Sequence, residues 1–481
     1  MFKRLLPIVI GLLTFSVNAQ DEITSKLYET YEKYKEPSLS ERRIKHTDIQ
    51  PLIQQFNANP KFAVQKVGES IQGRDLHLIS IGAGDVNVFL WSQMHGDEPT
   101  ATMAIFDILN FLDSPDFMKE KNEILSHVKL HFMPMVNPDG AEVYQRRNAL
   151  GIDINRDALR LQSPEGRILK RVRDSLDADF GFNLHDQSTY YNAELTDKPA
   201  TISYLATAFN YEKDINEVRS NAMKVIVYMN RIIQNYAPGQ VGRYSDDFEP
   251  RAFGDNIAKW GTSLILIESG GYANDTEKQE IRKLNYVSIL SALHTIANGS
   301  YKNIPIDDYE KIPHNDRKLF DLKIENVTYQ LLGNDYILDL GIYRNEVDLK
   351  GHKDFYYKST IGDQGDLSTF YGYETFDASG YTIVPPKIAI KGNGQTNKNL
   401  LEQGIAYVKT QLPNYGSSVD EPMHKVHLDF KLNGFNLQPG VNPTFFLQKE
   451  GKITHAVLNG FLLDLSKPLE EQKFGNALIY R

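Results

Sequence analysis

Residues 88–112 read VFLWSQMHGDEPTATMAIFDILNFL, and the order of textures in this stretch decides the fold class. Val88 to Trp91 is an unbroken apolar run, the signature of a strand buried on both faces. Ile105, Ile108, Leu109 and Leu112 then repeat at helical spacing, so residues 101–112 are expected to form a helix. Between them lies a polar turn, Met94-His95-Gly96-Asp97-Glu98-Pro99. In open α/β sheets this junction, where a strand end meets a helix start, is where ligands gather.

Working outward, residues 62–64, 76–79, 128–136, 179–185 and 263–268 read as further short strands. Residues 218–236 and 276–296 read as long helices, and residues 21–60 as a polar, partly helical lead-in. The alternation implies an α/β fold in which a mixed central sheet is flanked by helices. Beyond residue 300 the texture changes. Residues 299–315 look like a linker, and residues 317–481 read as a β-rich C-terminal region of short runs broken by Gly and Asp.

The ends of the strands carry the chemistry. His95 and Glu98 stand three apart in the turn, close enough to grip one ion through an imidazole nitrogen and a carboxylate. Two histidines and a glutamate, with a fourth position open to water, form a catalytic zinc arrangement. His185, ending the strand Phe180-Gly181-Phe182-Asn183-Leu184, is the best-placed third ligand. His-x-x-Glu alone is a weak signal, and a helix-capping or hydrogen-bonded His95 is the plain alternative. Arg146, Arg147, Asn155 and Arg156 crowd the polar stretch after the 128–136 strand. An arginine fork suits a carboxylate or an oxyanion, although salt bridges on a solvated loop remain the default for most of them. Glu268 follows the apolar run Leu264 to Ile267, where a carboxylate is costly unless it is used or solvated. It could accept a proton from an attacking water.

In this order the motifs resemble the zinc metallocarboxypeptidases of the carboxypeptidase A superfamily, over residues 38–300. The resemblance implies one Zn2+ held by His95, Glu98 and His185. It implies Glu268 as the catalytic glutamate and Asn155 with Arg156 as the clamp on a substrate carboxylate. It also implies Arg146 as the oxyanion arginine, with Arg147 its rival by one position, and Tyr244 as the mobile tyrosine that covers the substrate. The expected reaction is hydrolysis of the C-terminal amide bond of a peptide by metal-activated water. An amidase or deacylase of peptidoglycan fragments or N-acyl amino acids is the alternative. The expected partner is a peptide or small amide with a free carboxylate. Asp97 stands where digestive members of the family carry an arginine.

Composition limits the other readings. With 53 basic and 62 acidic residues, the net charge of −9 argues against nucleic acid as a partner. The absence of cysteine excludes a thiol nucleophile, a disulfide scaffold and a Cys-ligated metal. Lys3 and Arg4, an apolar run over residues 5–13 and Val17-Asn18-Ala19 read as a signal peptide over residues 1–19. That run is too short to span a bilayer. A secreted or periplasmic protein is therefore expected, without stable membrane insertion after cleavage. Removing Lys3 and Arg4 with the signal takes −9 to −11. Gly82-Ala83-Gly84 precedes a strand, not a helix, and so fails as a dinucleotide loop. Ser70 lacks the Gly-x-Ser-x-Gly spacing of a nucleophile elbow. His424 and His427 should point to opposite faces of a strand and are read as surface histidines.

Overall fold

A computed structural model describes residues 23–390, 394–411, 422–432, 434–474 and 479–480. The signal-peptide reading of residues 1–19 lies outside the described residues. Backbone contacts divide the chain into two compact units that meet between Arg317 and Lys318.

The first unit is built on an eight-stranded mixed sheet. Its strands are β1 (Ala63–Glu69), β2 (Asp75–Ile81), β3 (Val86–Ser92), β4 (Val128–Met133) and β5 (Phe180–Asp186). A short β6 (Asn192–Ala193) lies outside the sheet; β7 (Ile202–Ala206), β8 (Val241–Arg243) and β9 (Ser263–Ser269) complete it, in the order β1-β2-β4-β3-β5-β9-β7-β8. β3, β4, β5 and β9 run parallel, whereas β7 lies antiparallel to β9.

Strand alternation sends successive side chains to opposite faces, and here both faces are covered. Val88 and Leu90 of β3, Phe182 and Leu184 of β5, and Ile265 and Ile267 of β9 share one core. Over it lie the helices Thr100–Asp113, Glu217–Ile233 and Gln279–Asn298. Phe89, Trp91 and Leu264 join the opposite core beneath the helices Pro164–Leu176 and Phe253–Lys259.

Both edges of this unit extend past the sequence-based boundaries. Leu27, Tyr31, Tyr34 and Leu39 are buried in the first core. The buried Asp107–Arg282 ion pair (2.5 Å) latches this lead-in. Tyr31 Oη donates to Asp107 (2.9 Å), and the Arg282 guanidinium donates to the Glu36 and Leu39 carbonyls. Residues 299–315 are not a free linker, because Tyr301, Tyr309 and Ile312 are buried in the same core. β10 (Asn315–Asp316) pairs with β6.

The second unit, Lys318–Arg481, carries two sheets. Its long hairpin joins β11 (Leu319–Leu331) and β12 (Asn334–Asp348), and β13 (Phe355–Gly365) extends it. A smaller parallel sheet contains β14 (Ile405–Thr410) beside β15 (His424–His427). The helix Asn397–Glu402 is the longest among the described residues of this unit. His424 is buried and His427 exposed, so the two do face opposite ways, but His424 is not a surface residue. Its ring stacks on Tyr407 and its Nε2 lies 2.9 Å from Thr444 Oγ1.

Candidate metal centre and substrate cavity

β3 ends in a turn whose shape leaves little freedom. Gln93 adopts φ 52°, an uncommon value for a residue with a side chain, and its own amide holds it there. Gln93 Nε2 donates to the Gly96 carbonyl (2.9 Å), and Gln93 Oε1 accepts from Thr102 Oγ1 (3.0 Å). Gly96 packs so closely on a neighbouring loop that a Cβ would sit 2.1 Å from the Gly140 carbonyl carbon. The glycine between His95 and Asp97 is therefore a steric requirement.

This turn delivers His95 and Glu98 to the end of β5, where His185 waits. One ligand-type atom from each of the three lies within 4.8 Å of the others, and all three residues are buried. His95 Nδ1 is 2.8 Å from Glu98 Oε1 and 3.1 Å from His185 Nδ1, and His185 Nδ1 is 2.6 Å from Glu98 Oε2. Behind them Asp153 Oδ1 lies 3.2 Å from His95 Nε2, which turns that ring's Nδ1 toward the cluster. Two imidazole nitrogens and a carboxylate oxygen, converging and backed by a carboxylate, form a donor set that suits zinc.

Electrostatics in the cluster follow from burial and crowding. Burial disfavours charge on both rings. At His95 the Glu98 and Asp153 carboxylates outweigh it and push the ring up to about 9; at His185 burial prevails and the ring is lowered. Burial alone would raise Glu98, yet the two imidazoles hold it well below the usual carboxylate range. Glu268 goes the other way: burial and then the Glu98 charge push it well above its ordinary value. Asp97 is also buried, and burial together with Glu98 pushes it up to about 6.

Glu268 is opposite His185 in the parallel β5–β9 register, so its carboxylate stands beside the cluster without belonging to it. Of the two adjacent arginines, Arg146 reaches the cluster. Its Nη1 lies 3.1 Å from His95 Nδ1 and 3.3 Å from Glu98 Oε1, and its Nε donates to Asp153 (3.0 Å). Arg147 is exposed and donates to the Gly151 carbonyl instead (2.9 Å).

A cavity of about 390 Å³ opens on the cluster, and all eight residues singled out from the sequence line it. Asn155 Oδ1 accepts from the Phe253 amide (2.9 Å), and half-buried Arg156 pairs loosely with Glu249 (3.6 Å). Tyr244 is half-buried, edge-on to Tyr191 at 6.2 Å, and burial with the Glu268 charge raises its phenol. Sequence reasoning missed Asp153. The available signal was an acid two residues before Asn155 in a polar run, which without the fold reads as loop solvation.

The fold brings a candidate metal-binding cluster to the strand ends of a mixed α/β sheet. The family profile described as zinc carboxypeptidase matches residues 49–167, a segment holding His95, Glu98, Arg146, Asn155 and Arg156. The resemblance to the zinc metallocarboxypeptidases read from the motifs is shown by this match. Among curated proteins, carboxypeptidase SOL1 of Arabidopsis thaliana is 32% identical over 99 residues, which are 19% of this chain and 20% of that protein. An uncharacterized protein of Zymomonas mobilis is 25% identical over 184 residues, covering 36% of this chain and 44% of its own. The chain thus spans less than half the length of either relative. A metallo-carboxypeptidase from Burkholderia cenocepacia superposes with a TM-score of 0.44 at 14% identity, over 53% of this chain and 69% of that one.

Proposed function

We propose that this protein is a secreted or periplasmic zinc-dependent carboxypeptidase. The observation that carries the reading is the convergence of His95, Glu98 and His185 beside Glu268 and Arg146 in one cavity that also holds Asn155 and Arg156. His95 Nδ1, Glu98 and His185 Nδ1 would hold one Zn2+, which when bound supplies positive charge to polarise the scissile carbonyl and the attacking water.

The remaining work belongs to side chains. Arg156 and Asn155 grip the α-carboxylate of the last residue, Arg156 through its guanidinium fork and Asn155 from the same loop. Arg146, tethered by Asp153, points its Nη1 into the cluster, where it meets the oxygen that gains charge as the carbonyl becomes tetrahedral. Glu268 takes the proton from the attacking water and passes it to the leaving nitrogen. Its raised affinity for a proton, caused by burial and Glu98, suits both halves of that transfer. Tyr244 stands at the cavity wall, positioned to cover a bound substrate.

The test compares a free-acid peptide with its C-terminal amide on zinc-loaded protein. The free acid should be the better substrate by at least tenfold in kcat/KM, and Arg156→Ala should erase the difference. Equal efficiency on both would overturn the exopeptidase reading.

A further inference from the structure

His185 and Glu268 face each other in the penultimate pair of the β5–β9 ladder, and Asp186 with Ser269 makes the last pair. Beyond it β9 runs into Gly270-Gly271, which bring no side chain to the packing. A buried ion pair closes this end. The Lys278 ammonium donates to Asp186 Oδ2 (2.9 Å) and to the Ser269 carbonyl (3.1 Å). It therefore grips the residue after His185 and the residue after Glu268 together. Thr100, fully buried and two residues after Glu98, donates its Oγ1 to the same Asp186 oxygen (2.6 Å). The Asp186 amide donates to Glu98 Oε2 (3.3 Å). One carboxylate thus ties together the segments that carry Glu98 and His185, and Lys278 adds the segment that carries Glu268.

The placement of Lys278 is costly in two ways. Its ammonium is buried, which is unfavourable unless the charge is paired and hydrogen-bonded. Its backbone adopts φ 51°, a left-handed conformation uncommon for a residue with a side chain. The following helix, Gln279–Asn298, does not use the Lys278 side chain as its cap. Asp275 serves there, accepting from the Gln279 amide (2.7 Å) and the Glu280 amide (2.9 Å). What the strained backbone and the buried charge accomplish is the reach of Nζ to the ends of β5 and β9.

We infer that Lys278 is a positioning residue, which through Asp186 and the Ser269 carbonyl fixes the spacing between Glu268 and the His95–Glu98–His185 cluster. The inference rests on the carboxypeptidase reading and concerns how that same site is held. Proton transfer by Glu268 needs a heavy-atom separation of about 3 Å, and a misplacement of about 1 Å can cost on the order of 100-fold in rate. The proposed substrate clamp, Asn155 with Arg156, lies on a different loop. Loss of the Lys278 ammonium should therefore act on kcat and leave KM nearly unchanged.

The experiment uses the full-length protein. Lys278→Met keeps the stem without the ammonium. A double variant, Lys278→Met with Asp186→Asn, also removes the carboxylate charge that would otherwise stay buried alone, which guards against a folding defect. Both should melt cooperatively and bind one zinc per chain. On a free-acid peptide each should lose at least tenfold in kcat, with KM within threefold of wild type. Cobalt(II) loaded in place of zinc gives visible bands that report the geometry of the metal's surroundings without turnover. Both variants should shift those bands, because Asp186 adjoins His185. Wild-type kcat in the two variants would overturn the inference. So would a fall in kcat matched by an equal loss of bound zinc, or a failure of both variants to fold, since either would make the pair purely structural. Should the wild-type protein cleave no peptide, the peptidase reading fails, and the cobalt bands alone decide the role of Lys278: shifted bands support it and unchanged bands overturn it.

Discussion

His95 Nδ1 and His185 Nδ1 stand 3.1 Å apart although 90 residues separate them in sequence. The parallel pairing of β3 with β5, in which Ser92 faces Leu184, forces this meeting, because each histidine follows closely on its strand's last paired residues. Glu98 completes the set from the turn after β3. One dication satisfies two nitrogen lone pairs and a carboxylate together, which is the physical case for zinc here.

Asp153 is expected to control how well that set binds. It touches both His95 Nε2 and Arg146 Nε, so it orients both the proposed ligand ring and the proposed oxyanion arginine. Asp153→Asn should weaken zinc binding roughly 10- to 100-fold, the range for loss of a carboxylate behind a ligating histidine. Competition against a chromogenic chelator measures this directly. Unchanged affinity would show that the ring is held by packing alone.

Much of the fold was legible because β3, β5 and β9 are covered on both faces and therefore read as apolar runs. β7 was not, since Ser203 and Tyr204 interrupt the apolar run from Ile202 to Ala206; β8 is only Val241 to Arg243. The helix Pro164–Leu176 was not read from the sequence, because its buried Ile168, Leu169 and Val172 are interleaved with basic residues. At the site, the residues read from strand ends and turns come together around one cavity, including Glu268 at the end of β9. Asp153 was not read, because its contact with His95 joins residues 58 apart in the chain. The domain edges were misread for a related reason: polar, Pro-containing sequence at residues 299–315 conceals the buried Tyr301, Tyr309 and Ile312.

Those buried residues set the expectation for fragments. We propose that the first unit is the catalytic domain and the second an accessory domain. A fragment of residues 20–317 should then melt cooperatively and keep zinc, whereas residues 20–300 should not. The shorter piece loses two buried tyrosines, each worth about 3–5 kcal/mol by analogy with large aromatic truncations. It also loses the bond from Asn315 Nδ2 to Gln187 Oε1 (2.7 Å) at the cavity wall. Thermal melts and metal analysis of both fragments test this. A 20–317 fragment that melts cooperatively but binds no zinc would refute the assignment.

His424 sets the acid behaviour of the second unit. Burial pushes its ring down to about 3, from an ordinary value near 6.5. Between those values the unfolded chain binds a proton that the folded chain refuses, so stability falls as pH falls below 6.5. The slope contributed by this one group is at most about 1.4 kcal/mol per pH unit. His424→Gln keeps a polar partner for Thr444 and cannot titrate in this range, so its stability should fall less between pH 6.5 and 4. Denaturant melts of both proteins across that window read the difference; parallel curves would show that His424 is protonated in the folded state.

Glu268 separates binding from chemistry. Its carboxylate adjoins the His95–Glu98–His185 cluster through the β5–β9 register, while those three residues are the proposed zinc ligands. The rigid, fully buried strand Ser263–Ser269 fixes its position. Glu268→Gln keeps the shape and the hydrogen-bonding capacity but cannot take a proton from water. It should therefore retain zinc and bind a free-carboxylate product, yet lose about 10²- to 10⁴-fold in kcat, the usual range for a missing general base. His95→Ala should lose zinc and activity together, because it removes a donor atom. Metal content, product affinity and turnover measured on both variants distinguish the two roles. A Glu268→Gln protein without zinc would make Glu268 a structural support of the metal set, and one with wild-type turnover would move the proton transfer to another group.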